Sequence, residues 1–279
     1  MFITARYLKG LEPDMKIVTS ASEIDGGCTF VPTMGALHAG HASLFKLAKA
    51  KSDFVVASIF VNPLQFDDAQ DLANYPRTPD RDIEIAADSG VTHLWLPKEE
   101  EIYPPEVKKI SAGQLGNIYE GANRSGHFNG VVTVVSRLFE LLKPESAIFG
   151  EKDFQQLTLI KEIANGVKII AAPTVREADG LAISSRNVRL DKESRDAASV
   201  IYQALIAAKI SLNLQEAHSQ MRKVCATQPL FNLDYAEVID EQDFSIATDS
   251  TLNSRAIIAG WLNGVRLIDN MQMTTGGLR

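Results

Sequence analysis

Val31-Pro32-Thr33-Met34-Gly35-Ala36-Leu37-His38-Ala39-Gly40-His41 reads as the join between a β-strand and an α-helix. Cys28, Thr29, Phe30 and Val31 form a short β-type stretch that Pro32 is expected to stop. From Gly40 onward, Leu44, Leu47 and Ala48 recur at helical spacing. His38 and His41 open that helix. Three residues apart, they share a face, with Cβ atoms roughly 5–6 Å from each other. They lie beside the N–H groups that a helix N-terminus leaves without intrahelical partners and that attract anions. Gly35 and Gly40 put no side chain in the way of a phosphate approaching the backbone. Taken alone, the stretch leaves three readings open: a phosphate site, a histidine helix cap, or a pair of metal ligands.

Working outward, apolar runs alternate with amphipathic stretches. Strands are expected at Cys28 to Val31, Phe54 to Val61, Val91 to Leu96, Ser146 to Phe149 and Val167 to Ala171. Helices are expected at Gly40 to Ser52, Arg81 to Ser89, Val131 to Leu142 and Phe154 to Asn165. This βαβ rhythm predicts an α/β fold, a Rossmann-like doubly wound parallel sheet with helices on both faces. After Pro173 the rhythm changes. Helices at Glu193 to Ile210 and Leu214 to Thr227 precede short strands at Asp234 to Ile239, Arg255 to Trp261 and Val265 to Asp269, the last two joined by the hairpin signal Asn263-Gly264. The expected organisation is a larger domain over residues 1–174 and a smaller α+β domain over residues 175–279, the latter a lid over the site.

Composition bounds the function. The chain has 279 residues, 45% hydrophobic and 23% charged, as in ordinary globular proteins, and a net charge of −7 that argues against a broad nucleic-acid surface. The start, Met1-Phe2-Ile3-Thr4-Ala5-Arg6, lacks the pattern of a signal peptide, and no stretch reaches the length of a membrane span, so a cytoplasmic protein is expected. Cys28 and Cys225 are read as reduced, mostly buried thiols, and the sequon Asn123-Arg124-Ser125 as a chance match.

Parallel sheets bind ligands beyond the carboxyl ends of their strands. His38 and His41 follow the first expected strand, and Asn62-Pro63-Leu64-Gln65-Phe66 the second. Gly150-Glu151-Lys152-Asp153, with Gln155 and Gln156, follows the Ser146 strand; Pro173 to Gly180, leading to Ser184-Ser185-Arg186, follows the Val167 strand. Any one of these segments is readable as a plain turn or cap. Together they offer cations from Lys152 and Arg186, hydroxyls from Ser184 and Ser185 and imidazoles from the histidine pair, a set suited to phosphates. The chain has no P-loop, no G-x-G-x-x-G after a strand, no H-E-x-x-H, no G-x-S-x-G and no C-x-x-C. A nucleotide site here therefore relies on the histidines and the basic loops.

His38-Ala39-Gly40-His41 resembles the H-x-G-H signature of the nucleotidylyltransferase superfamily, and Ile183-Ser184-Ser185-Arg186 its K-M-S-K-S-type loop. Within that superfamily, Val31 to Gly35, Val61 to Phe66, Tyr75-Pro76-Arg77-Thr78, His127-Phe128-Asn129-Gly130-Val131, Gly150 to Gln156 and Arg176 to Ala182 resemble the pantoate–β-alanine ligase (pantothenate synthetase) family. The resemblance is dense from about residue 28 to 190. It implies ATP- and Mg²⁺-dependent joining of pantoate to β-alanine through pantoyl adenylate, releasing AMP and pyrophosphate. No enzyme nucleophile is needed, so positioning and charge neutralisation carry the catalysis.

The resemblance further implies that Met34, Gly35, Ala36, Leu37, His38, Ala39, Gly40 and His41 contact ATP, with His38 and His41 at its phosphates and His41 as the proton donor. Adenylation, however, calls for charge stabilisation more than for acid. By the same resemblance Lys152 and Arg186 bind phosphates with Ser184 and Ser185, while Gly150, Glu151, Asp153, Val175 and Ile183 complete the ATP site. Gln65 and Gln156 hold pantoate, supported by Asn62, Tyr75, Asp82 and His127. A homodimer is implied. Ile183 stands where the family usually has Met or Leu, and Arg81 where some members carry an acid, so no metal ligand is assigned.

Two rival classes remain. An adenylyltransferase acting on a phosphate acceptor shares H-x-G-H but has no need of the Gln65 and Gln156 pair. A non-catalytic nucleotide-binding regulator has no need of His38, His41, Lys152 and Arg186 together.

Overall fold

The computed structural model describes residues 15–67 and 69–273; the N-terminal stretch read above for a leader lies outside them. The chain divides into two compact units. The first is built from the described residues up to Gly116, Arg124–Gly150 and Gln156–Ala172. The second is built from Asn117–Asn123, Glu151–Gln155 and the described residues from Pro173 onward.

The first unit carries six parallel strands: β1 Lys16–Val18, β2 Thr29–Thr33, β3 Val55–Ile59, β4 His93–Trp95, β5 Ser146–Gly150 and β6 Lys168–Ala172, in the order β1-β4-β3-β2-β5-β6. The five expected strands are present. β1, three residues at a sheet edge, is too short to show a period and was not foreseen. Successive side chains of a strand face opposite ways. Val31 accordingly packs with Phe45 and Ala48 of the helix Ala39–Lys49, while Phe30 meets Phe139 of the helix His127–Leu142 edge-on at 6.5 Å. Helices thus cover both faces, as a buried parallel sheet requires.

Two expectations need correction. Pro32 does not stop β2, which runs on to Thr33. Pairing with β5 ends at Phe30 while pairing with β3 continues through Thr33, so Pro32 sits where the strand has one neighbour, as on an edge. The helix expected from Val131 begins at His127, directly after Gly126, whose φ of +78° is a left-handed conformation that suits glycine.

The second unit carries an antiparallel sheet of β7 Asn232–Asp240, β8 Ser254–Leu262 and β9 Val265–Gln272. Asn263 and Gly264 both have positive φ, 45° and 76°, the turn chemistry a two-residue hairpin demands. Its core joins Ile201, Leu205 and Met221 of the helices to Val238 and Ile258 of the sheet. The helix expected over Glu193 to Ile210 is interrupted at Ala198, giving Lys192–Ala197 and Ser199–Lys209. Cys28 and Cys225 are buried and unpaired. Burial pushes the Cys28 thiol up to about 12 and the Cys225 thiol to about 11, so both stay protonated and inert near neutral pH. Among the described residues, no helix is long and apolar enough to cross a membrane.

Candidate nucleotide and acid site

In the first unit the polypeptide leaves β2 through a left-handed turn, Gly35 at φ +82° and Ala36 at φ +49°. A Cβ on Gly35 would stand 3.0 Å from Asp82 Oδ2. That carboxylate, 2% exposed, holds the turn: Oδ2 accepts from Ala36 N at 3.0 Å and Oδ1 from Leu37 N at 2.7 Å. Thr78 Oγ1, at the start of the helix Pro79–Asp88, also donates to Oδ1, at 2.9 Å. Locally Asp82 reads as a first-turn acid that favours a helix N-terminus. Its use is to anchor another loop, which only the tertiary structure exposes.

The turn delivers His38 to the N-cap of the helix Ala39–Lys49. Gly40 N donates to His38 Nδ1 at 3.1 Å, and His38 N donates to His41 Nδ1 at 3.3 Å. A ring nitrogen that accepts carries no proton, so each neutral imidazole holds its proton on Nε2 and presents an N–H donor. The two rings lie 4.0 Å apart, centroid to centroid. The histidines are therefore both helix caps and oriented donors, so the cap and phosphate readings are compatible. Gly40 is required between them because a Cβ there would stand 2.8 Å from His38 Cε1. Gly40→Ala is expected to expel the His38 ring and lower turnover about tenfold or more, the usual consequence of misplacing a reacting group. Steady-state kinetics beside a thermal melt checks this; unchanged kinetics would remove His38 from the site.

Beyond β3, Asn62 is 1% exposed and spends its whole amide internally. Oδ1 accepts from Leu64 N at 3.2 Å and from Tyr103 Oη at 2.6 Å, while Nδ2 donates to Gln65 Oε1 at 2.9 Å and to Gly130 O at 3.1 Å. Burial and then the charge of Glu99 raise the Tyr103 phenol, which keeps it a donor. Gln65 is thus held by its oxygen, and among the described residues its Nε2 donates to the Met34 thioether, a weak acceptor, at 3.1 Å. His127 Nδ1 lies 2.8 Å from Gln65 O, and its Nε2 lies 3.1 Å from Arg124 Nη1. A carbonyl only accepts and a guanidinium only donates, so the His127 proton sits on Nδ1, the opposite tautomer to the histidine pair. Tyr75 meets Phe66 edge-on at 5.6 Å.

The rest of the His127 motif holds the Gln65 loop and a second segment at Ala112. Asn129 Oδ1 accepts from Ala112 N at 2.8 Å, and a Cβ on Gly130 would lie 2.2 Å from Leu64 O. Of the adjacent glutamines, Gln155 is buried and bonds Glu120 N and Ile118 O. Gln156 is half-buried, with no side-chain hydrogen bond among the described residues.

The basic residues gather in the second unit. Lys152 Nζ meets Asp153 Oδ1 at 3.2 Å in the turn Glu151–Asp153 that follows Gly150, the last residue of β5. Val175 and Ile183 face each other across a hairpin, Ile183 N donating to Val175 O at 3.0 Å. Gly180, at φ +91°, packs its bare Cα against the Tyr202 ring, where a Cβ would overlap. Arg176 anchors the hairpin to β9 through Asp269, with Nη1–Oδ2 at 2.5 Å and Nη2–Oδ1 at 3.0 Å. Burial pushes the Asp269 carboxyl upward, and the Arg176 fork opposes that shift. Ser184 follows directly, its Oγ accepting from Arg186 N at 3.3 Å, with Ser185 between. The structure therefore gathers Met34 to His41, Asn62, Gln65 and His127 in one unit, and Lys152, Asp153, Val175 and Ile183 to Arg186 in the other. Asp269 and Asn270 escaped the sequence reading, and Arg176 entered it only as part of a motif, since no local pattern marks an ion pair 93 residues apart in sequence.

A parallel sheet with ligand-type residues beyond its strands, and two capping histidines in place of a glycine-rich loop, defines a Rossmann-like protein of the H-x-G-H type. Residues 12–272 match the family model for pantoate-beta-alanine ligase. The chain is 46% identical to the pantothenate synthetase of Acidothermus cellulolyticus over 263 residues, 90% of this chain and 86% of that one. The crystal structure of pantothenate synthetase from Thermus thermophilus superposes with a TM-score of 0.87 at 40% identity, covering 92% of this chain and 99% of that one. The Francisella tularensis pantoate-beta-alanine ligase, crystallised with beta-gamma ATP and beta-alanine, gives a TM-score of 0.77 at 36% identity, covering 94% and 99%. The chain belongs to the pantoate–β-alanine ligase family.

Proposed function

We propose that this ligase condenses pantoate with β-alanine to pantothenate at the expense of ATP, through a pantoyl-adenylate intermediate. The carboxylate of pantoate attacks the α-phosphorus of ATP and pyrophosphate leaves. The amine of β-alanine then attacks the activated acyl carbon, AMP leaves, and the amine proton passes to solvent or to AMP. Oriented donors do the catalytic work. His38 and His41 offer Nε2–H groups to phosphate oxygens, His41 acting by hydrogen bonding rather than by proton transfer. Lys152 and Arg186 add positive charge, Ser184 and Ser185 add hydroxyls, and backbone groups at Met34 to Gly40, Gly150, Glu151, Asp153, Val175 and Ile183 hold the nucleotide.

The observation that carries this reading is Gln65. Its oxygen is locked by Asn62, and its Nε2 rests on the Met34 thioether, a contact readily exchanged for an oxygen of pantoate. Gln156 is the second pantoate contact. Asn62, Tyr75 and His127 serve pantoate by holding the Gln65 loop.

Mg²⁺ neutralises phosphate charge when bound. It takes one or two carboxylates with phosphate oxygens and keeps several waters. Asp82 already accepts from backbone N–H groups through both of its oxygens, and no metal ligand is assigned. On family resemblance alone, the proposal extends to a homodimer working in the cytoplasm.

Gln65→Ala tests the assignment. Titration calorimetry should show pantoate affinity falling about tenfold or more, as expected when a hydrogen bond to a charged group is lost, with ATP affinity nearly unchanged. Equal losses for both ligands would make Gln65 structural.

A further inference from the structure

Residues on β9 alternate between buried and half-buried from Val265 to Asp269, and the alternation then fails: Asn270, next to buried Asp269, is itself buried. Neighbours on a strand face opposite ways, so something covers each face at this point. Behind Asp269 stands Arg176, which ties the Val175–Ile183 hairpin to the strand. Over Asn270 lies the turn carrying Lys152. Asn270 Nδ2 donates to Glu151 O at 2.9 Å and to Lys152 O at 2.8 Å. Its Oδ1 accepts from Arg255 Nη1 at 2.6 Å.

The network fixes the amide orientation without ambiguity, because two carbonyls need a donor and a guanidinium needs an acceptor. Arg255 is immobilised in turn. It is 4% exposed, its Nε donates to Glu241 Oε1 at 2.7 Å, and its guanidinium stacks 3.9 Å above the ring of Phe154, one residue beyond the turn.

We propose that Asn270 is a positioning residue for the reaction. By clamping the two successive carbonyls of Glu151 and Lys152, with Arg255 as its brace, it fixes the backbone from which the Lys152 ammonium reaches phosphate. Asp269 does the same, through Arg176, for the hairpin that leads to Ser184, Ser185 and Arg186. One dipeptide of the small sheet thus sets both basic loops. The inference rests on the phosphate role of Lys152 proposed above.

Asn270→Asp keeps the volume and the acceptor for Arg255 but removes the Nδ2 donor to the two carbonyls. In pantoate-dependent pyrophosphate release by the full chain with ATP and Mg²⁺, it should lower kcat about tenfold or more and leave the KM for pantoate unchanged. Placed in Lys152→Ala, the same substitution should alter the residual rate by less than about twofold, because residues acting as one unit are not additive.

Equal factors in the two backgrounds, or a rise in pantoate KM matching the fall in kcat, would reduce Asn270 to a general structural residue and overturn the proposal. So would an Asn270→Asp variant with full kcat while Lys152→Ala is impaired. Full turnover in Lys152→Ala would instead show that the reading of Lys152 has failed, and the proposal with it. Should Asn270→Asp not fold, Asn270→Ser, which is too short to span both carbonyls, is read in the same two backgrounds with the same outcomes.

Discussion

Lys152→Ala is expected to lower turnover by a factor on the order of 10² or more, and His41→Ala by a similar factor, in proteins that remain folded. Both reagents of the first half-reaction are anionic, a carboxylate approaching a triphosphate, so the transition state is unusually dependent on local positive charge and N–H donors. The Lys152 ammonium pairs with the half-exposed Asp153 carboxylate, a contact worth about 1 kcal/mol, and its charge adds to that of Arg176 in opposing the upward shift of the buried Asp269 carboxyl, while the turn that carries it is held through backbone carbonyls that the substitution leaves in place. His41 gives up a 3.3 Å contact with His38 N, a cap interaction whose loss costs about 0.5–2 kcal/mol. Stability should therefore move little while kcat falls sharply. Kinetics and thermal unfolding on the same preparations check this. Near-normal turnover in both folded variants would remove phosphate stabilisation as the role of these residues.

Gly130→Ala should do the reverse, leaving the phosphate groups untouched and disabling the pantoate side. The new methyl would sit 2.2 Å from Leu64 O and 2.6 Å from Gln65 N. Neither is a side chain that can swing away. The helix His127–Leu142 is packed against the sheet through Phe139, so the Asn62–Phe66 loop has to move. Overpacking of this kind costs about 1–3 kcal/mol, and the displacement takes Gln65 with it. Pantoate affinity is expected to drop about tenfold or more, with ATP affinity changed far less, by calorimetry. An alanine variant with the parent melting temperature and pantoate affinity would show that the loop has slack the structure does not display.

The fold was legible because its signals are local. Buried parallel strands read as short apolar runs, the helix after β2 as a change of period, and the Asn263-Gly264 hairpin as two residues that tolerate positive φ. The candidate site was legible as a set of residue types but not as a division of labour. Asn62 and Gln65 look alike in the sequence, both polar and both in a loop after a strand. Only their neighbours show that Asn62 spends its amide on Gly130, Gln65 and Tyr103, leaving Gln65 to offer a donor. Gln155 and Gln156 divide in the same way. Asp82, Gly130 and Asn270 act on segments 46, 66 and 118 residues away in sequence, and no periodicity carries such a pairing. Pro32 misled for a related reason, since its fit depends on where pairing with β5 stops.

The most direct measurement is pyrophosphate release by the purified chain supplied with ATP, Mg²⁺ and pantoate, with and without β-alanine. The account predicts release that requires pantoate, is limited to about one equivalent per site without β-alanine because the adenylate stays bound, and becomes multi-turnover when β-alanine is added. Release independent of pantoate, or none until β-alanine is present, would contradict an adenylate formed ahead of the amine.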